Sequence, residues 1–279
     1  MRIAVVLLSV TASVALGAEK EPLFSAVGMA GPMGKAGELK EAGAEFLTVG
    51  VGDLLVPDKS DEEFEKLAAK AGACPLPVMA CNGFIRPKHL RCVGEEANHA
   101  EVLKWADTTF RRAKRVGAKF IVFGSGGSRH LRDGWPKAKA DEQFVALLKK
   151  MGPLAREQGI TVVVEQLNER ECNYITTIGE GAEIVRKVDD PNVRLLADLY
   201  HMAMMGDTPE DLDKAMDVVV HVEIAEKEGR SVPGVNGVDF RPFFEVLRTH
   251  GYHGAISIEG RWKMEQLPKA FATIREQAG

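Results

Sequence analysis

The sequence predicts a single (β/α)8 barrel, and three observations carry that reading. From Leu23 onward, strand-like and helix-like segments alternate with turn residues between them, and the count from that point is eight pairs. Four consecutive strands in the second half are short apolar runs: Thr161–Glu165 (TVVVE), 194–198 (RLLAD), 218–223 (VVVHVE) and 255–259 (AISIE). Such runs fit strands of a parallel sheet covered on its outer face by helices. Each of the four ends on a carboxylate, so Glu165, Asp198, Glu223 and Glu259 recur about one β/α unit apart.

Taken in order, the first strand is 23–28 and its helix runs over 34–42 to a stop at Gly43. Strand two is 45–49, and Ser60 with Glu63 forms a capping box that starts a helix reaching Ala71. Strand three, 77–80, enters the loop Cys81, Asn82, Gly83, Phe84; a long helix then covers 96–116 and stops at Gly117. Strand four, 119–123, leads into the glycine-rich run 124–129, and its helix spans 141–158 before Gly159. The helices after the four acidic strands start near Thr177, Thr208, Asp239 and Met264. A doubly wound open sheet is the main rival, but Gly28-Met29-Ala30-Gly31 is a poor phosphate-binding turn after the first strand.

The eight pairs are complete without the first residues of the chain. Residues 1–18 have a basic start at Arg2, an apolar run over 3–14 and small residues over 15–18, the pattern of a secretory signal peptide. The run is too short to span a membrane comfortably. A periplasmic or secreted protein is therefore expected, with one barrel domain over 19–279 and no membrane span after the signal is removed. The chain of 279 residues has a net charge of −4, which argues against a nucleic-acid partner. Its four cysteines, Cys74, Cys81, Cys92 and Cys172, are expected to be mostly free, because a domain of this size does not depend on disulfides.

Active sites of such barrels sit at the C-terminal ends of the strands. Alternation places Glu165 on the face of Val163, Asp198 with Leu196, Glu223 with His221, and Glu259 with Ser257. One acid in such a place is as easily a helix cap or an arginine partner. Four acids at one mouth repel one another, and a divalent cation resolves the repulsion. Oxygen-rich ligation suits Mn²⁺ or Mg²⁺ better than Zn²⁺, with Co²⁺ as a further alternative. Glu165 and Glu259, from strands five and eight, could face a ligand from two sides: one takes a proton beside a carbonyl, the cation stabilises the enediolate, and the other returns a proton.

The runs Glu165-Gln166-Leu167-Asn168 through Glu171, Asp198-Leu199-Tyr200-His201-Met202, Arg230-Ser231-Val232-Pro233-Gly234 and Ser257-Ile258-Glu259 resemble the xylose-isomerase-like barrel superfamily. Within it they look most like the ketose 3-epimerase and hydroxypyruvate isomerase branch. The resemblance covers most of the chain from Leu23 and is strongest from strand five onward. It implies a Mn²⁺-type site with Glu165, Asp198, a strand-seven residue and Glu259 as ligands, and Glu165 with Glu259 as the acid/base pair. It also implies that Glu171, His201 and Arg230 contact substrate oxygens, and that the protein forms a dimer or tetramer. In the epimerases the strand-seven ligand is usually the second His of a His-x-His pair; here the pair reads His221-Val222-Glu223, so the matching position is Glu223 and the site becomes all-carboxylate.

Further residues were weighed on chemistry. Cys81, ending strand three, is expected to line the pocket, although a buried cysteine is usually inert. Trp262, and Trp135 after strand four, offer an indole for a sugar face, with loop packing as the alternative. The run 124–128 with Arg129 and Arg132 could hold a phosphate through backbone amides, but it lacks a P-loop pattern, and an unphosphorylated carbohydrate is favoured. The expected activity is a metal-dependent carbohydrate isomerase or epimerase. A lyase acting on a keto-sugar or inosose is the rival, and a sugar-binding barrel without catalysis is another. A polynuclear zinc nuclease is disfavoured: of seven histidines, only His201 and His221 sit on or just after the acidic strands.

Overall fold

The structure, a computed structural model, describes residues 21–279; the signal-peptide reading of 1–18 lies outside the described residues. Eight strands close into a barrel in sequence order: β1 (Val27–Ala30), β2 (Leu47–Gly50), β3 (Val78–Asn82), β4 (Phe120–Phe123), β5 (Thr161–Glu165), β6 (Val193–Asp198), β7 (Val219–Ile224) and β8 (Ile256–Ile258). Every neighbouring pair is parallel, and β1 pairs with β8 to complete the ring. The chain is therefore a single (β/α)8 barrel.

The local signals act as the sequence suggests. Ser60 and Glu63 form the capping box of Asp61–Gly72. Gly117 and Gly159 take left-handed conformations that end His99–Val116 and Lys137–Gln158. Side-chain alternation then divides the apolar residues into two sets. Ala80, Val122, Val163 and Leu196 pack on one another inside the barrel, whereas their strand neighbours join the larger core beneath the helices. His221 also lies inside, stacked on Phe120 at 5.0 Å between centroids.

Several boundaries differ from the sequence reading. Strand one starts later because Leu23 and Phe24 are buried ahead of it, with Phe24 packing edge-on against Phe244 and Tyr252. Strand eight ends at Ile258, so Glu259 is the first residue of the loop. Three short helices were not anticipated: Val51–Leu54, Gly126–Arg129 and Leu199–Met205. All three directly follow strand ends on the rim that carries the acids, where they shape the mouth. All four cysteines are free.

Candidate active site at the C-terminal rim

Glu165, Asp198, Glu223 and Glu259 converge: each offers an oxygen, and those oxygens lie within 4.8 Å of one another. The strand register explains the meeting, since Asp198 of β6 pairs directly with Glu223 of β7. The acids occupy two levels. Glu165 and Glu259 line a cavity of about 1310 Å³ together with Glu171, His201 and Arg230, whereas Asp198 and Glu223 are fully buried beneath it.

Each carboxylate has a different set of partners. Asp198 Oδ1 accepts from the backbone N–H groups of Tyr200 (2.7 Å) and His201 (3.1 Å), capping Leu199–Met205 and leaving Oδ2 without a hydrogen bond. Both oxygens of Glu223 are buried without a partner. Asn82 donates to Glu259 Oε1 at 2.7 Å, and Arg230 pairs with Glu259 Oε2. Arg230 also reaches Glu171 Oε1 at 3.2 Å and Asp198 Oδ2 at 3.8 Å, while its guanidinium lies 4.6 Å over Tyr200.

Arg230 sits at φ +51, a strained conformation for a non-glycine residue. Its loop is held by buried Glu226, which accepts N–H groups from Gly234 (2.8 Å), Asn236 (2.5 Å) and Val238 (3.3 Å). The strain is thus sustained by a clasp at the loop base, with the guanidinium delivered to the acids.

This crowding changes the acids unequally. Burial, and then the charges of Glu259 and Asp198, hold Glu165 well above the usual carboxylate range. Glu223 is raised well above it for the same first reason, with Glu259 and Glu165 adding to the effect. Glu259 is also raised by burial, but the Arg230 guanidinium opposes the rise. Burial thus raises both acids that face the cavity, and Glu165 rises further because Arg230 stands directly against Glu259.

His201 Nδ1 accepts from the Asn168 backbone N–H at 3.1 Å and lies 2.8 Å from its amide nitrogen, which also donates to Glu171 Oε1. Burial depresses His201 to about 4, so the ring is neutral and its proton sits on Nε2. That atom faces Glu165 Oε1 at 3.6 Å and Asp198 Oδ2 at 3.7 Å. Glu165, Asp198 and His201 could also group around a cation. The protonated Nε2 disfavours that set and makes His201 a hydrogen-bond donor instead.

The donor set fits a divalent cation. Three buried oxygens, Asp198 Oδ2 and both of Glu223, accept no hydrogen bond, and Arg230 comes only to 3.8 Å from the first; such oxygens are costly unless something positive meets them, and carboxylate oxygens suit a hard ion. The cations beside this cluster are Arg230 and, below the rim, Arg129.

Arg129 revises the reading of the glycine-rich run. It is fully buried and, among the described residues, has no ion-pair partner; it donates to the carbonyls of Gly124 (2.6 Å) and Glu165 (2.8 Å), with Tyr174 O at 3.5 Å. A Cβ on Gly124 would lie 2.1 Å from Glu165 Oε2, so only glycine leaves that carboxylate its place. The run is a clasp around Glu165 whose arginine is spent on backbone carbonyls, not a phosphate cradle. Arg129→Met, which leaves those carbonyls unmet, is expected to lower stability by about 2 kcal/mol or more in denaturant titrations.

Two expected pocket residues are placed elsewhere. Cys81 is fully buried in the core outside the barrel, because alternation turns Ala80 and Asn82 inward and Cys81 outward; burial pushes its thiol up to about 12. Trp262 packs against the helix core with Lys35 5.5 Å over its ring, and does not line the cavity. Trp135 likewise borders a separate small cleft. Asn82 was missed, although the period of two from Ala80 points to it. Arg129 was noted in the sequence only for a phosphate role, since its carbonyl partners come from three separate segments.

Comparison with known proteins adds the family context. The family model described as the xylose isomerase-like TIM barrel matches residues 36–277. An inosose isomerase of Halalkalibacterium halodurans is 28% identical over 135 residues, 44% of this chain and 47% of that protein. The matched stretch thus spans about half the length of such curated relatives. The apo structure of a 3-keto-D-glucoside 4-epimerase from E. coli superposes with a TM-score of 0.73 at 23% identity, covering 90% of this chain and 98% of the other. The structure of the IOLI protein, which holds a zinc atom, gives 0.68 at 18% identity, covering 90% and 96%. At these identities the structural likenesses speak for the fold alone.

Proposed function

Because the chain belongs to the xylose isomerase-like TIM-barrel family, we propose that it is an isomerase or epimerase of an unphosphorylated carbohydrate, working by proton transfer between carbon and the Glu165/Glu259 pair. The observation that carries the reading is the division of the four converging acids into two that face the cavity and two buried without room for a substrate. Inosose isomerase, the name borne by a similar protein, describes a reaction of this kind.

Glu165, Asp198, Glu223 and Glu259 would hold a divalent cation, Mn²⁺ in the first instance with Mg²⁺ or Co²⁺ as alternatives. When bound, the cation supplies Lewis-acid stabilisation of negative charge on a substrate oxygen. The remaining work falls to the side chains. Glu259, paired with Arg230 and oriented by Asn82, takes the proton beside the carbonyl. Glu165, the other acid that lines the cavity, returns one from another side. His201 donates its Nε2 proton to a substrate oxygen, and Glu171 and Arg230 read hydroxyls at the mouth. Return to the opposite face of the same carbon inverts it, whereas return to the neighbouring carbon moves the carbonyl.

The test is proton NMR of metal-stripped protein in D₂O with a panel of neutral ketoses and keto-sugars, with and without Mn²⁺. Cation-dependent deuterium uptake at one carbon, with an epimer or aldose appearing, is the expected result. An unsaturated product would transfer the assignment to a lyase, and binding without exchange would leave a sugar-binding barrel. We also propose that the chain is exported to the periplasm or beyond, which N-terminal sequencing of the mature protein checks by the loss of residues 1–18.

A further inference from the structure

We propose that the cavity has a second, cationic pole at Arg86, and that the carbohydrate it takes carries a carboxylate at the end remote from the reacting carbon. The inference rests on the proton-transfer reading above and names the substrate class.

Arg86 lines the same cavity as Glu165 and Glu259, but from the loop after β3, across the mouth from the acidic strands. The backbone that presents it is fixed. Phe84, fully buried, packs against Phe110 and Phe123, and its carbonyl accepts from Trp105 Nε1 at 2.8 Å. The next residue, Ile85, is buried as well and donates its N–H to Ser125 Oγ at 2.9 Å, tying the β3 loop to the β4 loop. Asn82, four positions before Arg86, holds Glu259, so one short segment serves both poles.

The guanidinium is correspondingly placed. It lies over Gly52, where an added Cβ would meet Arg86 Nη1 at 3.1 Å and Cδ at 3.3 Å, so a side chain there would crowd the arginine. Among the described residues, Arg86 makes no ion pair and no side-chain hydrogen bond, unlike Arg230, which engages several acids in the same cavity. A fork of five donors, carried on a tied backbone, exposed at a substrate cavity and without an acceptor, matches a planar bidentate anion.

Charge balance selects a monoanion. Arg86 and Lys70 are the basic side chains on this wall and Asp53 the acidic one, which leaves one net positive charge. Asp53 turns back on its own backbone, where its Oδ2 would lie 2.3 Å from a Cβ on Gly50, and it forms no ion pair with Arg86. One carboxylate satisfies that balance. A phosphate dianion would leave a negative charge facing the four acids across the mouth.

The experiment titrates the metal-loaded full chain, by calorimetry, with three compounds that differ only at the distal carbon: D-fructose, D-fructuronate and D-fructose 6-phosphate. Binding of the uronate about tenfold more tightly than the neutral ketose is expected, with the gap closing in Arg86→Gln while fructose affinity stays unchanged. Arg86→Lys, which keeps the charge and loses the fork, is expected to retain only part of it. Equal affinities, a preference that survives Arg86→Gln, no binding of the uronate, or a preference for the phosphate would each overturn the proposal. Deuterium exchange into fructose is measured on the unsubstituted, metal-loaded chain: its absence counts against the proton-transfer reading and leaves the affinity result to stand alone.

Discussion

Glu165→Gln is expected to lower the rate of deuterium exchange into substrate by a factor of about 10² to 10⁴, the range for loss of a positioned acid or base. The same substitution is expected to raise, not lower, the thermal stability of the chelated protein. Glu165 is buried, and both Glu259 and Asp198 raise the cost of its charge. The amide keeps its shape, keeps the Arg129 contact to the backbone carbonyl and removes the cost of either charging or protonating a buried acid. Activity and stability thus move in opposite directions, the pattern of a site whose geometry opposes the fold for the sake of function. A variant that loses both together would mean that Glu165 is mainly a structural acid. Exchange kinetics and thermal unfolding of the same preparation separate the two.

The barrel was legible because its evidence is periodic. Short apolar strands closing on acids, glycine stops at Gly117 and Gly159 and the Ser60 capping box each declare themselves within a few residues, and eight such units leave little choice of architecture. The convergence of the four acids follows from that periodicity and strand closure. Less legible were features that depend on which way one side chain turns. Cys81 and Asn82 are neighbours at the end of β3, and one step of alternation sends the first to the outer core and the second to Glu259. The Leu199–Met205 helix was hidden because its cap is Asp198, already counted as a site residue. A carboxylate can serve both purposes when one oxygen caps and the other faces the cluster. Arg129 is the hardest case: a cation in a glycine-rich run suggests an anion, and only the fold shows it spent on carbonyls of residues 124, 165 and 174.

The metal-free protein is expected to lose stability as pH rises from the unfolded carboxylate value of about 4.3 toward the raised folded values of Glu165 and Glu223, and a divalent cation is expected to abolish that loss. Glu165 and Glu223 are held well above the usual carboxylate range, chiefly by burial. Between the unfolded value of about 4.3 and their raised folded values, the folded chain binds more protons than the unfolded chain, so stability falls as pH rises. His201 and His221 act in the opposite sense. Burial depresses both to about 4, so between there and their unfolded value of about 6.5 the unfolded chain binds the extra protons and stability rises with pH. Between about pH 4 and 6.5 the two contributions offset one another, and the histidine contribution is complete by about pH 7.5. A bound cation lets the acids ionise in the folded state, which removes the decline, and at a thousandfold excess over its Kd it adds about 4 kcal/mol. Thermal unfolding in chelator and in Mn²⁺, scanned from about pH 5.5 to 8.5, measures both effects. A pH profile that is the same in chelator and in Mn²⁺ would mean that the buried oxygens of Glu223 and Asp198 are met by something other than a metal ion.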